Sequence, residues 1–410
     1  MKTLLALALL SMGTQCTRAP EGASAASVAI AHGIAAASPP VTVSPLVPLI
    51  HCPYPATAKA DGCAAATAGT VLHPDFFTGW AAQSGQHYTT RPAHNVAGVD
   101  YPVGVPPGPL RDPRAAGALP AGCAYASASL TVNCTGSGDL TLSGYDFDGV
   151  RLHVYGGYTG TCTLSGDRFK GEAAIDLDNG NLVRIDSNAT CGLIDTHNTY
   201  DGNGTRHMAY LMMDLRTGAV PTFHGYDAWL NVPQKGVAMN AAAPSVFAYN
   251  WGQDIAIDQC SHGELTIYGA IKGRALHEEG YNTVIETAHP FNPACGLNGG
   301  ITTWFYDGGG VSTGFDLYNH DNVIVTNAVN GKAVISAQVE LSDGVYPSVR
   351  IQRNYIDGAG ALWCAYNPNS GGKLTGTADF TGNINLVSGK TVPAGFNAKA
   401  TGQGRIEKSC

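Results

Sequence analysis

The chain has 410 residues, of which 44% are hydrophobic and only 13% charged, with 52 Gly, 23 Pro and a formal charge of −8. Charged residues make up about a quarter of an ordinary soluble protein, so a helical bundle with a salt-laced surface is a poor fit. No two Lys or Arg residues are adjacent, which removes the clustered cations that a nucleic-acid groove or an anionic lipid surface requires.

In chain order, the first element is an export signal. Lys2 supplies a positive start, and Leu4-Leu5-Ala6-Leu7-Ala8-Leu9-Leu10 supplies an apolar core too short to span a bilayer. Two processing routes are open: cleavage near Ala23-Ser24-Ala25, placing the signal at 1–25, or lipidation of Cys16, where Gln15 departs from the usual small residue. The expected location is secreted or periplasmic, with a lipid anchor at Cys16 as the alternative and no transmembrane segment after the signal. Without Cys16, the remaining ten Cys are even in number, as in an exported disulfide scaffold. The simplest sequential pairing is Cys52–Cys63, Cys123–Cys134, Cys162–Cys191, Cys260–Cys295 and Cys364–Cys410, one connectivity among many.

Residues 26–119 read as a Pro/Ala-rich tether and arm, since fifteen of the 23 prolines lie in the first 120 residues. Phe76-Phe77, Trp80, Tyr88 and Tyr101 are too many aromatics for a pure linker, so the later part is expected to lie on the main domain.

Residues 120–400 carry a recurring triplet of a large apolar residue, any residue, then Gly. It appears as Phe147-Asp148-Gly149, Phe169-Lys170-Gly171, Tyr200-Asp201-Gly202, Ile271-Lys272-Gly273, Val329-Asn330-Gly331, Ile356-Asp357-Gly358 and Phe380-Thr381-Gly382. Successive gaps are 22, 31, 71, 58, 27 and 24 residues. Short alternating runs such as Val150-Arg151-Leu152-His153-Val154 and Val183-Arg184-Ile185-Asp186 lie between them. A period in the twenties with short strands predicts an all-β right-handed parallel β-helix, a solenoid whose triplet Gly bends the backbone at a positive-φ corner. At roughly 24 residues per turn this gives about 11 or 12 coils. The competing fold is an antiparallel sandwich, because Asp-Gly and Asn-Gly are also hairpin signals. Residues 401–410 form a short tail.

In rung periodicity and apolar-x-Gly corners this region resembles the pectate-lyase-like group of parallel β-helix proteins. The resemblance is architectural and covers about two-thirds of the chain. It implies carbohydrate work as the favoured class, since lyases, polygalacturonase-type hydrolases, tailspikes and adhesins share the architecture. The run Gln253-Asp254-Ile255-Ala256-Ile257-Asp258-Gln259-Cys260-Ser261-His262-Gly263 is similar to the polygalacturonase motif, with departures at Gln253 and Ser261 and with His262 only eight residues after Asp254.

On a strand, Asp254 and Asp258 share one face, so with His262 they are candidates for acid and base at a glycosidic bond; a solvated outer face is the plainer reading. A second cluster, Arg274, His277, Glu278, Glu279, Glu286 and His289, within Lys272 to Pro290, is the most densely titratable stretch of a charge-poor chain. There Arg274 or His277 is a candidate base for β-elimination, and Glu278, Glu279 and Glu286 are candidate oxygen ligands for Ca²⁺, the one cofactor considered. The plainer reading is a polar loop between coils. Trp251, Trp304 and Tyr306 are candidate platforms for sugar rings, with Trp304-Phe305-Tyr306 read as a protruding loop. The expectation is an exported monomer that binds, and by lyase or hydrolase chemistry cleaves, a polysaccharide. The alternative is a non-catalytic adhesin or structural module on the same face.

Overall fold

The computed structural model describes residues 71–73, 75, 77, 87–203, 205, 207–216, 221–239, 244–255, 263–269, 276–286, 300–306, 316–326, 339–342, 345–358, 366–367 and 373–391. Strands recur in threes: Thr131–Cys134, Ser137–Ser143 and Asp146–Asp148 are followed by Arg151–Val154, Gly157–Ser165 and Arg168–Lys170, then by Asn181–Ile185, Gly192–Thr196 and Thr199–Asp201. From Thr131–Cys134 on, each strand pairs in parallel with the strand three places on, and the described residues build three sheets together, of ten, nine and nine strands. The first begins at Cys123–Ala126, the second at Ser137–Ser143 and the third at Asp146–Asp148. Among the described strands the one antiparallel pair is Cys123–Ala126 with Thr131–Cys134, at the start of the stack. Side-by-side parallel strands rule out the antiparallel sandwich and fit a β-helix-like solenoid, in which every coil buries its apolar side chains on the next.

The triplet residues Phe147, Phe169 and Tyr200 do mark equivalent steps, paired in register on the third sheet. They continue into Trp229 and form one inward stack, with ring centroids 4.7, 5.0 and 4.1 Å apart and planes within 11°. Ile356 joins the same column through Ile324. Phe380 does not. It follows the pair Arg350↔Asp379 on the second sheet, and its Gly382 sits at the preceding corner. Ile271 and Val329 lie outside the described residues.

The glycine role also needs correcting. Gly149 has φ +66°, but Gly171 and Gly202 are required for close approach, since a Cβ there would meet Thr205 Cγ2 at 2.7 Å and Pro233 Cδ at 2.6 Å. The recurrent left-handed step lies earlier, between the second and third sheets. Gly144, Gly166, His197, Tyr226, Tyr249, Tyr281, Asp321, Arg353 and Gly382 occupy it, with φ between 53° and 74°.

Immediately after that step runs a ladder of Asn and Asp side chains. The backbone N–H of Tyr145, Asp167, Asn198, Asp227, Asn250, Asn282, Asn322 and Asn354 each donates to Oδ1 of the residue one coil on, at 2.7–3.0 Å. Those links span 22, 31, 29, 23, 32, 40, 32 and 29 residues, so the rungs are longer and fewer than a 24-residue turn predicts. A backbone turned away from its sheet at every coil has one unpaired N–H, and the ladder answers it.

Cys123–Cys134 and Cys162–Cys191 are disulfides, as the sequential pairing expects. Both fit an oxidising compartment. Cys52, Cys63, Cys260, Cys295, Cys364 and Cys410 lie outside the described residues. Among the described residues no helix is long and apolar enough to cross a membrane.

The arm packs on the outside of the coil. Tyr88, Val96, Ala97, Val99, Tyr101 and Val103 share a buried cluster with Tyr226, Tyr249, Trp251 and Tyr281. Tyr226, Tyr249 and Tyr281 stack along the corner at 4.9 and 5.3 Å. This second aromatic column is covered by the arm rather than by water.

Candidate functional site

Several expected site residues turn out to be structural. Trp251 is fully buried beneath the arm, its ring 5.8 Å from that of His73, so it is no open sugar platform. His277 points into the coil, where its Nδ1 lies 2.7 Å from Ser245 Oγ and its ring packs on Tyr268. Burial pushes its pKa down to about 3, which keeps the ring neutral and away from any surface substrate. Glu279, its neighbour but one, also points inward. Its carboxylate accepts from Thr266 Oγ1, Tyr268 OH and Asn319 Nδ2 at 2.7, 3.1 and 2.8 Å. Strand alternation sends Glu278 to the opposite face, so Glu278 and Glu279 cannot ligate one surface Ca²⁺.

Asp254 is half-buried near the end of Trp251–Ile255, with φ 55°, and its Oδ2 accepts from Gln253 Nε2 at 3.3 Å. Asp258, His262 and Arg274, the rest of the constellation expected around Asp254 and its neighbouring cluster, lie outside the described residues. Glu286 ends the strand Thr283–Glu286 and pairs with Thr326, its side chain lying outside the described set. Trp304 and Tyr306 belong to the first-sheet strand Gly300–Tyr306, paired with Ile267 and Gly269, so this aromatic run is a strand and not a protruding loop.

One of the expected residues does join a converging surface cluster. Glu278, Tyr318, Arg350 and Asp379 stand in register on four successive strands of the second sheet, all on its outer face. The adjoining corner contributes His320, Asp321 and Arg353. His320 Nε2 lies 3.0 Å from Glu278 Oε1 and its Nδ1 2.9 Å from Asp321 Oδ2. Arg353 donates from Nη2 to Asp321 Oδ2 at 2.6 Å and to Tyr318 OH at 2.9 Å. Tyr318 is flanked on both sides, by the His320 ring at 4.0 Å and by the Arg350 guanidinium at 4.1 Å.

The electrostatics follow from this geometry. Burial pulls the His320 pKa down, but hydrogen bonds to Asp321 and Glu278 outweigh it and hold it above the usual histidine value. Burial pulls Asp321 up, and the hydrogen bonds from His320 and Arg353 outweigh that, leaving it below the usual carboxylate range. The Arg353 pKa is raised, first by its hydrogen bond to Asp321. Arg353 remains 47% exposed, and Tyr318 and Arg350 are half-buried, so the cluster opens to solvent through a phenol and two guanidiniums.

Tyr318, His320, Asp321, Arg350 and Arg353 were not expected as site residues from sequence. A signal existed in the corner register: Glu278, Tyr318 and Arg350 each stand four residues before a ladder residue, Asn282, Asn322 and Asn354.

The fold and this cluster define an all-β protein of stacked parallel sheets with titratable groups from successive coils meeting on one outer face. Comparison with protein-family models, with characterised proteins and with solved structures finds no match to the chain.

Proposed function

We propose that this is an exported, right-handed parallel β-helix protein that binds an acidic polysaccharide along the outer face of the second sheet and cleaves it by β-elimination. The observation that supports this most is the convergence of Tyr318, Arg350 and Arg353 from adjacent coils on one solvent-facing spot. An elimination needs a cation to neutralise the uronate carboxylate and a group to move the C5 proton. Arg350 and the outward edge of Arg353 suit the carboxylate, and the Tyr318 hydroxyl suits the proton transfer. In that step the Tyr318 oxygen takes the C5 proton as its own proton passes to the leaving C4 oxygen, so the C5–H and C4–O bonds break while the C4–C5 double bond forms. His320, Glu278 and Asp321 act by fixing the corner that presents Arg353. Both carboxylates are engaged by His320, which makes them poor partners for direct glycosidic hydrolysis.

The test is a panel of uronate and neutral polysaccharides read for new reducing ends and for absorbance of unsaturated uronates. Elimination predicts both signals on a uronate polymer. Tyr318→Phe is expected to lower turnover by about 10²–10⁴-fold while leaving binding in place. Reducing ends without absorbance mean hydrolysis, and binding without either signal means a non-catalytic adhesin.

A further inference from the structure

Inside the coil, away from that outer face, lies a buried cluster of two carboxylates and an imidazole. Asp195 and His224 are neighbours in register on the second sheet, one coil apart and pointing inward, and Asp227 is the ladder residue three positions after His224. All three are fully buried. Each offers one ligand-type atom, and the three atoms lie within 4.8 Å of one another. The stack is apolar on either side, with Leu164 paired to Asp195 and Phe247 paired to His224.

Asp195 is fully occupied. Its Oδ1 accepts from Asn198 Nδ2 at 2.5 Å and from Tyr200 OH at 2.7 Å, and its Oδ2 lies 2.7 Å from His224 Nδ1. The other two residues are not. Asp227 Oδ1 accepts the Asn198 N–H at 2.7 Å, but Asp227 Oδ2 and His224 Nε2 are buried with no hydrogen-bond partner. At equivalent ladder steps an Asn Nδ2 fills the second position by donating to a carbonyl of the preceding coil: Asn198 to Leu164, Asn250 to His224, Asn282 to Phe247. An Asp at that step offers an acceptor where its neighbours offer a donor. Two carboxylates and an imidazole sealed from water are costly unless something positive joins them.

We propose that Asp195, His224 and Asp227 form an internal site for one divalent transition-metal ion of the Zn²⁺ or Mn²⁺ type, bound as the coils close. Mixed carboxylate and imidazole ligands suit these ions better than Ca²⁺, which takes oxygen alone. Bonds of 2.0–2.2 Å place tetrahedral donors ~3.3 Å apart, so the 2.7 Å Asp195–His224 contact would open by ~0.6 Å and separations of up to 4.8 Å would close by up to ~1.5 Å. Asn198 and Tyr200, both bonded to Asp195, would hold that carboxylate in place. The role is structural, tying the third and fourth coils of the second sheet together.

The experiment is elemental analysis of the full-length oxidised protein, refolded in Zn²⁺ alone, in Mn²⁺ alone, or in EDTA. One ion per chain is expected from either metal, with a Tm at least several degrees above that of the EDTA-folded sample. Asp227→Asn is expected to abolish the ion while preserving the fold, because Asn is the residue at the adjacent ladder steps. Its Tm is then expected to be insensitive to metal. His224→Phe, which matches Phe247 in the same column, is expected to do the same. Protein that folds to one Tm in all three conditions and holds no ion overturns the proposal, as does stoichiometric metal that survives in both variants. None of these outcomes depends on any activity at the outer face.

Discussion

Asn282→Ala probes the physical basis of the stack. The Asn282 side chain accepts from Asn250 N–H at 2.9 Å and from Asn250 Nδ2 at 3.1 Å. It donates from Nδ2 to the Phe247 carbonyl at 2.9 Å and to Asn322 Oδ1 at 3.0 Å. Truncation does not orphan every partner. Asn250 Nδ2 retains the His224 carbonyl, and Asn322 Oδ1 retains the backbone N–H of Asn282. What remains stranded in the core is the N–H of Asn250, while the Phe247 carbonyl, inside the strand Ser245–Ala248 paired with Leu276–Gly280, loses one donor. At about 1–3 kcal/mol for a buried unsatisfied group, the expected loss is roughly 1–3 kcal/mol. Asn282→Asp keeps the acceptor for Asn250 but loses the donor for Phe247, so its loss is expected to be smaller and to shrink further at acid pH. The assay is denaturant unfolding followed by circular dichroism, with exposed Asn203→Ala as control. A loss below ~1 kcal/mol for Asn282→Ala, equal to the control, would refute the view that the ladder supplies the hydrogen bonds the corner lacks.

Three further outcomes follow from the same geometry. The His320 pKa is raised by folding, so its contribution is present below the unfolded value near 6.5 and is lost as pH rises through the folded value; the opposite holds for Asp321, whose contribution is lost as pH falls through its lowered value. Wild-type Tm is therefore expected to decline from pH 6 to pH 9, and His320→Asn to flatten that decline; an identical slope in both excludes the network as its source. Gly98→Ala places a Cβ 2.8 Å from Trp251 Cδ2 at a backbone φ of +69°, so it is expected to loosen the arm and expose Trp251, read as a red shift in tryptophan emission and faster proteolysis near residue 98. Removing Cys162–Cys191 as a double Ser variant opens a loop of 29 residues and is expected to cost about 3–4 kcal/mol, measured against the reduced and oxidised wild type.

Much of the fold was legible from local chemistry. Phe147, Phe169 and Tyr200 recur because a solenoid repeats its environment, and identical environments select similar side chains; their spacing alone placed them on equivalent steps. The pairs Cys123–Cys134 and Cys162–Cys191 were legible because each closes a short loop. The ladder was partly visible, since Asp167, Asn198 and Asn354 stand two residues before the triplets that begin at Phe169, Tyr200 and Ile356. Its order was hidden because rungs of 22 to 40 residues defeat a fixed period. Aligning on the corner Asn, rather than on the triplet Gly, restores the register.

Which titratable groups face water was another matter. His277, Glu278 and Glu279 are consecutive, and composition treats them as one acidic patch, yet the strand sends Glu278 outward to His320 and its two neighbours inward. Trp251 looks like a ligand platform until the arm, some 150 residues earlier in sequence, is laid over it. That short strands repeat and stack was written in the chain's periodicity, because periodic apolar residues have only a few ways to leave water together. Which coil neighbours meet across rungs of unequal length was set by packing, which brought Tyr318, Arg350 and Arg353 to one surface and Asp195, His224 and Asp227 to one buried point.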